Sequence, residues 1–431
     1  MPTAAYFTLG CKVNQYETEQ IRVQMERSGF RTAPFNSQAD VYIINSCTVT
    51  SNADSKSRKA VRSAVRSNPN GFVVATGCYA HLKPEEIRGI SGVNMVVSNE
   101  EKESIPSQIL RCLPETLRLE AERDSQKGTL ATRQRIRTRA VVKVQDGCDN
   151  FCAYCAVPFA RSIIKSRPIS EVIEEIGELA ASGFKEIVLT GIRLGKYQDG
   201  QYRLPELILK AGSVSGIQRI RLSSIEPMEV NDKLLDAVAS EPKCCRHLHI
   251  PLQSGDDEIL KKMNRPYSSE EYIEMAKTVK NRIPGVGLTT DVMVGFPGET
   301  DAQFENTLRA IDAAGFSRLH VFRFSPRPGT IASAMEEKVP AKISESRARV
   351  LGEINDRLMQ AFAENLVGQT LNILVESRER SADGYPVLAG HTDNYVEASF
   401  AGPSALKGAI VQVKITGARN GKLVGDLLKG G

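Results

Sequence analysis

The chain reads as an α/β protein built in three parts. These are an N-terminal three-layer α/β domain over residues 1–125, a partial (β/α)6 barrel of the TIM type over 138–366, and a small C-terminal β-barrel over 367–431. Three observations predict this. Apolar strand-like runs alternate with amphipathic helical stretches through most of the chain, the pattern of a parallel sheet covered by helices. A polar segment, Lys102–Arg139, interrupts that alternation once. After Gly368 the character changes to short strands separated by Gly and Pro, the pattern of a small all-β domain.

In the first part, Tyr6–Cys11, Val41–Cys47 and Phe72–Cys78 read as strands, with helices over Glu17–Ser28 and Ala53–Arg66. Each of the three strands ends in a cysteine. In a parallel sheet the carboxyl ends lie on one edge, where ligands bind, so Cys11, Cys47 and Cys78 converge and form a candidate three-cysteine metal site. The competing reading is three buried structural cysteines, since Cys is among the most buried residue types. The shared position at strand ends favours the metal site.

Arg133, Arg135, Arg137 and Arg139 alternate at the end of the polar segment and would share one face of a strand. A longer βα series follows, with strands at Val141–Gln145, Glu186–Gly191, Arg219–Ser224, His247–Leu252, Gly287–Gly295 and Arg318–Phe324. Six units fall short of the eight in a closed barrel, so the barrel is partial. Lys342–Leu366 is a long amphipathic helix. Leu371–Val375, Tyr395–Phe400 and Ile410–Ile415 are strands of the last part, which has the size of an oligonucleotide-binding fold.

Between the first two strands of that series lies Cys148-Asp149-Asn150-Phe151-Cys152-Ala153-Tyr154-Cys155, a C-x3-C-x2-C pattern. Three thiolates at this spacing suit three irons of a four-iron cubane and leave the fourth iron open to a small molecule. A structural zinc site normally closes with four ligands, and no nearby Cys or His supplies a fourth. A disulfide fits less well, because the count is odd and the spacing tight.

The chain has 431 residues, 41% hydrophobic and 25% charged, with a net charge of +5, ordinary for a soluble globular protein. The mild positive charge permits nucleic-acid binding without arguing for it. The first residues lack a charged and then apolar leader, and no apolar run reaches the length of a membrane span. Nine cysteines without a leader point to reduced thiols in the cytoplasm, available as metal ligands. Cys112, Cys244 and Cys245 have no partner pattern and read as structural.

The strand-end cysteines, the C-x3-C-x2-C loop, the partial barrel and the terminal β-barrel occur in the order that resembles the radical S-adenosylmethionine (SAM) methylthiotransferase family, with a C-terminal TRAM barrel. The stretch Thr8-Leu9-Gly10-Cys11-Lys12-Val13-Asn14 resembles its bacterial branch that modifies threonylcarbamoyladenosine in tRNA. The resemblance implies two [4Fe-4S] clusters. One, on Cys148, Cys152 and Cys155, would bind SAM and cleave it to a 5′-deoxyadenosyl radical. The other, on Cys11, Cys47 and Cys78, would carry the sulfur, methylated by a second SAM before delivery to adenine C2. Expected SAM contacts are Tyr154, Gly191, Ser224, Glu226 and Gln253, with Asp291 and the Gly295–Glu299 turn beside them. Core packing is an equal reading for Tyr154, and a plain turn role the commoner one for Gly191, Gly295 and Gly298. His249 reads as a core histidine. Asn14 and Asn45 would hydrogen-bond cluster sulfurs or cap local structure.

Three basic groups are candidate RNA contacts: Lys56, Arg58, Lys59, Arg62 and Arg66 on one helix, the alternating arginines at 133–139, and Arg161, Lys165 and Arg167 after the cluster loop. Arg161 is given no role of its own, because Ile163-Ile164 departs from the Arg- and Gly-rich stretch of relatives. The implied partners are the anticodon stem-loop of tRNA and an electron donor such as flavodoxin or ferredoxin, with no membrane. Rival readings are the same chemistry on isopentenyladenosine or a ribosomal-protein aspartate, and a non-catalytic iron–sulfur RNA-binding protein.

Overall fold

Val41–Ser46 is buried at every position, and that burial on both faces is why the sequence shows an unbroken apolar run rather than alternation. It is the central strand of the first of two units in a computed structural model that describes residues 1–125, 138–380 and 386–428. Arg133, Arg135 and Arg137 lie outside the described residues.

The first unit comprises the described residues of Met1–Gln134 together with Asp146–Ile164 and Ser325–Ser333. Its strands are β1 (Thr3–Thr8), β2 (Arg31–Ala33), β3 (Val41–Ser46), β4 (Phe72–Gly77) and β5 (Met95–Val96), and its main helices α1 (Lys12–Arg27) and α2 (Ser51–Ser67). The order β2-β1-β3-β4-β5 is parallel throughout. Successive side chains of β3 separate the two layers. Val41 and Ile43 pack with Ile21 and Met25 of α1 and with Ile105 and Ile109. Tyr42 and Ile44 pack with Ala60, Val61 and Ala64 of α2. This is the expected three-layer arrangement. The strands end one to three residues before the cysteines: Cys11 and Cys47 lie in the loops that follow, Cys78 opens the short helix Cys78–Leu82, and α1 begins five residues earlier than expected.

The second unit comprises the described residues of Arg135–Gln145, Lys165–Phe324 and Ala334–Gly431. Its barrel strands are β6 (Arg139–Lys143), β7 (Glu186–Thr190), β8 (Arg219–Leu222), β9 (His247–His249), β10 (Gly287–Val294) and β11 (Arg318–Arg323). They form two parallel three-stranded sheets, β6-β7-β8 and β9-β10-β11. Parallel bridges Ile220–Cys244 and Ser224–His249 join these into one six-stranded arc in chain order, the predicted partial barrel. One apolar core fills it, with Val142, Ile187, Leu189, Ile220, Leu248 and Val292 among the fully inward residues.

The helix α3 (Ala341–Glu364) leads into β12 (Thr370–Arg380), β13 (Pro386–Thr392), β14 (Glu397–Ala401), β15 (Ile410–Arg419) and β16 (Lys422–Leu427). These close as β12-β13-β14-β16-β15, with Ile373, Val375, Leu388, Ala398, Val413 and Leu423 inside. Five strands replace the three named from sequence. Arg139 is not a free basic residue: it donates to Glu376 of β12 at 2.6 Å and faces the Tyr395 ring at 5.2 Å.

Candidate active site

The register of the first sheet explains why its cysteines share one edge. Thr8 pairs with Asn45 and Asn45 with Thr76, so the strand ends are level, and Cys11, Cys47 and Cys78 follow that line by two or three residues. Gly10 and Gly77 each hold φ +96 immediately before a cysteine, in a region where a side chain is strained. They also allow close approach. A Cβ at Gly10 would lie 2.9 Å from Cys47 Sγ, and one at Gly77 would lie 2.3 Å from the Ser46 carbonyl oxygen.

Cys47 and Cys78 are buried, and Cys11 is exposed. Burial pushes the Cys47 thiol up to about 11, and Cys78 and Cys11 add to that shift while a hydrogen bond from the Val49 backbone opposes it. Cys11 opens to solvent yet is ringed by protein atoms. That crowding raises its thiol, the adjacent Cys78 raises it further, and Arg161 pulls it down. The three thiols therefore interact with one another.

The Asn14 backbone N–H reaches Cys11, while the Asn14 side chain donates to Leu9 O at 2.8 Å and Ser46 O at 3.0 Å. Asn45 Nδ2 donates to Asn14 O at 3.0 Å. Both asparagine amides thus bind backbone and tie the Cys11 and Cys47 turns together. Asn99, which sequence reasoning missed, has Nδ2 3.9 Å from Cys78 Sγ and donates to Ala160 O at 2.7 Å.

The C-x3-C-x2-C loop belongs to the same unit. Each of its sulfurs receives an N–H: Asn150 N reaches Cys148 Sγ at 3.4 Å, Asn150 Nδ2 reaches Cys152 Sγ at 3.6 Å, and Val157 N reaches Cys155 Sγ at 3.4 Å. Such donors favour the thiolate, the form that ligates iron. The loop is pinned at its ends by Cys148 N to Arg161 O at 3.2 Å and by Gly147, where a Cβ would meet Ile163 O at 2.2 Å. Ala332 N donates to Ala153 O at 2.8 Å. Tyr154 is half-buried in this loop.

The donor set fits iron–sulfur clusters. The two sets of three free cysteines, with an N–H on each sulfur of the C-x3-C-x2-C loop, are the ligand chemistry such clusters use. Arg161 is 4% exposed, and its Nε–H is buried with no hydrogen-bond acceptor among the described residues, a donor suited to an anionic sulfide.

In the second unit the expected SAM contacts lie at the carboxyl ends of the barrel strands. Glu226 is half-buried and ion-paired with Arg265, a residue sequence reasoning missed. Arg265 also donates to Tyr267 OH at 3.0 Å. Gln253 holds φ +66. Its backbone N donates to Asp291 O at 2.8 Å and its carbonyl accepts from Met293 N at 2.8 Å. A non-glycine residue held there marks a position fixed by its surroundings. His249 lies 3.3 Å from Asp291 Oδ1 and 3.0 Å from Thr289 Oγ1. Ser224 is exposed and bridges His249 through the backbone.

Other candidates have structural duties. A Cβ at Gly191 would meet Gln145 Oε1 at 2.8 Å, and Gln145 Oε1 accepts from Arg193 N at 2.7 Å. Glu299 accepts from Gly295 N at 2.7 Å and from Arg347 at 2.6 Å. Arg167 is bound to Glu175 at 2.6 Å. On α2, Lys56, Lys59, Arg62 and Arg66 are exposed, whereas Arg58 donates to Tyr79 OH at 2.6 Å.

Comparison with known proteins agrees with this arrangement. The Radical SAM superfamily matches residues 142–311, and Uncharacterized protein family UPF0004 matches residues 3–98. A solved structure of the radical S-adenosylmethionine methyltransferase TsrM from Kitasatospora setae superposes with a TM-score of 0.57 at 15% identity, covering 77% of each chain. The fold is that of a radical SAM enzyme. The chain is 39% identical over 96% of its length to threonylcarbamoyladenosine tRNA methylthiotransferase MtaB of Bacillus subtilis, covering 94% of that protein. It is 32% identical over 98% of its length to tRNA-2-methylthio-N(6)-dimethylallyladenosine synthase of Staphylococcus aureus strain Newman, covering 84% of that protein. The chain belongs to the radical SAM methylthiotransferase family, whose cofactors are [4Fe-4S] clusters and SAM.

Proposed function

We propose that this enzyme adds a methylthio group to C2 of N6-threonylcarbamoyladenosine at position 37 of tRNA. The observation that carries the reading is two separate cysteine triads on a chain related along nearly its full length to methylthiotransferases. The substrate choice is supported by identity. Relatives named for threonylcarbamoyladenosine reach 39%, 39% and 36%, and those named for dimethylallyladenosine 32%.

Three functional parts are inferred: residues 1–125 as the auxiliary-cluster domain, 138–366 as the radical SAM core, and 367–431 as an RNA-binding TRAM barrel. Cys148, Cys152 and Cys155 would hold the cluster that supplies one-electron chemistry to SAM when bound. Cys11, Cys47 and Cys78 would hold the auxiliary cluster. Tyr154, Gly191, Ser224, Glu226 and Gln253 are the proposed SAM contacts. Arg265 orients the Glu226 carboxylate, and the backbone of Asp291 and Met293 fixes Gln253. The exposed cations of α2 suit phosphate contacts, here to an anticodon stem-loop, and a flavodoxin or ferredoxin would supply electrons. No helix among the described residues is long and apolar enough to cross a membrane; the location inferred for a tRNA-modifying enzyme is the cytoplasm.

Mass spectrometry of tRNA nucleosides from a deletion strain tests the substrate. The expected result is loss of 2-methylthio-N6-threonylcarbamoyladenosine with its unmethylthiolated precursor accumulating. Loss of the isopentenyl product instead would move the assignment within the family. Loss of neither would overturn the tRNA reading.

A further inference from the structure

We infer that Arg161 is a positioning residue for the Cys11–Cys47–Cys78 triad, setting the charge beside it by its side chain while its backbone holds the start of the C-x3-C-x2-C loop. The inference rests on reading both triads as cluster ligands.

All the groups concerned belong to the first unit. Arg161 O accepts from Cys148 N at 3.2 Å, so the backbone of this residue fixes the start of the C-x3-C-x2-C loop. Its guanidinium turns toward the other triad. Nη1 donates to Glu17 Oε1 at 2.8 Å and to Asp146 Oδ1 at 2.9 Å, and Nη2 donates to Glu17 Oε2 at 2.8 Å and to Asn14 Oδ1 at 2.9 Å. Asn14 is the residue whose backbone N–H meets Cys11 and whose amide holds the carbonyl before Cys47. The guanidinium is in electrostatic reach of the Cys11 and Cys78 thiols.

Most of the charges around it are enclosed, Asp146 being the partly open one. Glu17 is shared with Lys102, which also donates to Asn45 Oδ1 at 3.2 Å. Arg161, Glu17 and Lys102 are 4%, 7% and 4% exposed. A buried ion cluster is weak evidence for stability as such, because apolar replacements often stabilise as well. Its placement beside the cysteines gives it another use. Cluster potential responds to net charge, sulfur hydrogen bonds and exposure. Arg161 supplies a positive charge and one Nε–H with no acceptor among the described residues, and Glu17, with Asp146, supplies the opposing charge.

The test uses the full chain with Cys148, Cys152 and Cys155 changed to Ala, anaerobically reconstituted, so that only the Cys11–Cys47–Cys78 cluster remains. Iron content and midpoint potential by electron paramagnetic resonance titration are measured for Arg161→Gln, Glu17→Gln, the double variant and Arg161→Lys. Removing the positive charge disfavours the added electron, so Arg161→Gln should lower the potential. Glu17→Gln should raise it, and the double variant should return toward the parent. Loss of iron in Arg161→Gln with retention in Arg161→Lys also supports the role, since lysine keeps charge and donor. Full iron with unchanged or same-direction potentials overturns it, as does loss of iron in both Arg161 variants. A parent that binds no cluster refutes the reading of the Cys11 triad instead.

Discussion

Glu186 accepts a hydrogen bond from Arg221 Nε at 2.8 Å, with the two side chains 1% and 2% exposed. Arg219 and Arg139 approach the same carboxylate at 3.4 and 3.5 Å. One acidic residue at the start of a barrel strand thus gathers three arginines, and all three reach the C-terminal β-barrel. Arg221 donates to Asp393 O at 3.0 Å and Thr392 O at 3.1 Å, and Arg219 to His391 O at 3.1 Å. Arg221 also lies 4.7 Å from the Tyr395 ring centroid, within cation–π range. Glu186→Ala leaves buried arginines without their counter-charge and should cost about 3–5 kcal/mol. Urea unfolding should show that loss, and limited proteolysis should release the C-terminal barrel sooner than in wild type.

The same clamp carries a pH dependence. Burial pushes Glu186 up, but Arg221, Arg139 and Arg219 together outweigh it and hold the carboxyl below its ordinary value. Glu376 is likewise raised by burial and lowered more strongly by His391 and Arg139. A depressed carboxyl contributes stability above its unfolded pKa, about 4.3 for Glu, and loses it as pH falls through the lower folded value. Stability from these two groups should therefore be constant from pH 7 down to about 5 and fall below about 4. Denaturation midpoints of wild type and Glu376→Gln should converge in acid. A gap that persists unchanged below that range would contradict the assignment.

Gly77→Ala should disrupt the auxiliary site. The new Cβ would stand 2.3 Å from Ser46 O and 2.4 Å from Ser46 N, at φ +96. Backbone must move on β3 or β4, which carries Cys47 or Cys78 with it. Reconstituted protein should lose about half its iron while circular dichroism of the remainder changes little. Gly352→Ala, in α3 at a position with no left-handed φ and no atom within 4 Å, serves as the control with full iron.

Arg265→Ala should weaken SAM binding by about tenfold, as expected from a loss of roughly 1.5 kcal/mol when a carboxylate loses its charged partner. Arg265 is nearly buried and Glu226 partly open, so the arginine fixes a carboxylate that remains able to meet a ligand. Equilibrium binding of SAM to the reconstituted enzyme checks this. Unchanged affinity would remove Glu226 from the SAM contacts.

The strand-end cysteines were legible because their signal is local: an apolar run, then a turn, then Cys. The partial barrel was legible for the same reason, as each strand is a buried run of its own. Two strands of the terminal barrel were not. Pro386–Thr392 carries Pro and Gly, and Lys422–Leu427 carries Gly425 at a point where a Cβ would lie 2.4 Å from Lys414 O. Their pairing, not their propensity, makes them strands. Arg161 was illegible for a different reason. Its partner Glu17 lies 144 residues away, and Lys102 reaches Glu17 across 85. Nothing local marks such a pairing. Glu226 was found from its strand end, while Arg265, 39 residues on, was not.

Iron and acid-labile sulfide per chain, measured on anaerobically reconstituted wild type and on the Cys11→Ala/Cys47→Ala/Cys78→Ala variant, test the central claim most directly. Two cubanes predict about eight irons falling to about four. About four irons in both proteins would make the Cys11, Cys47 and Cys78 triad structural and would contradict a two-cluster methylthiotransferase.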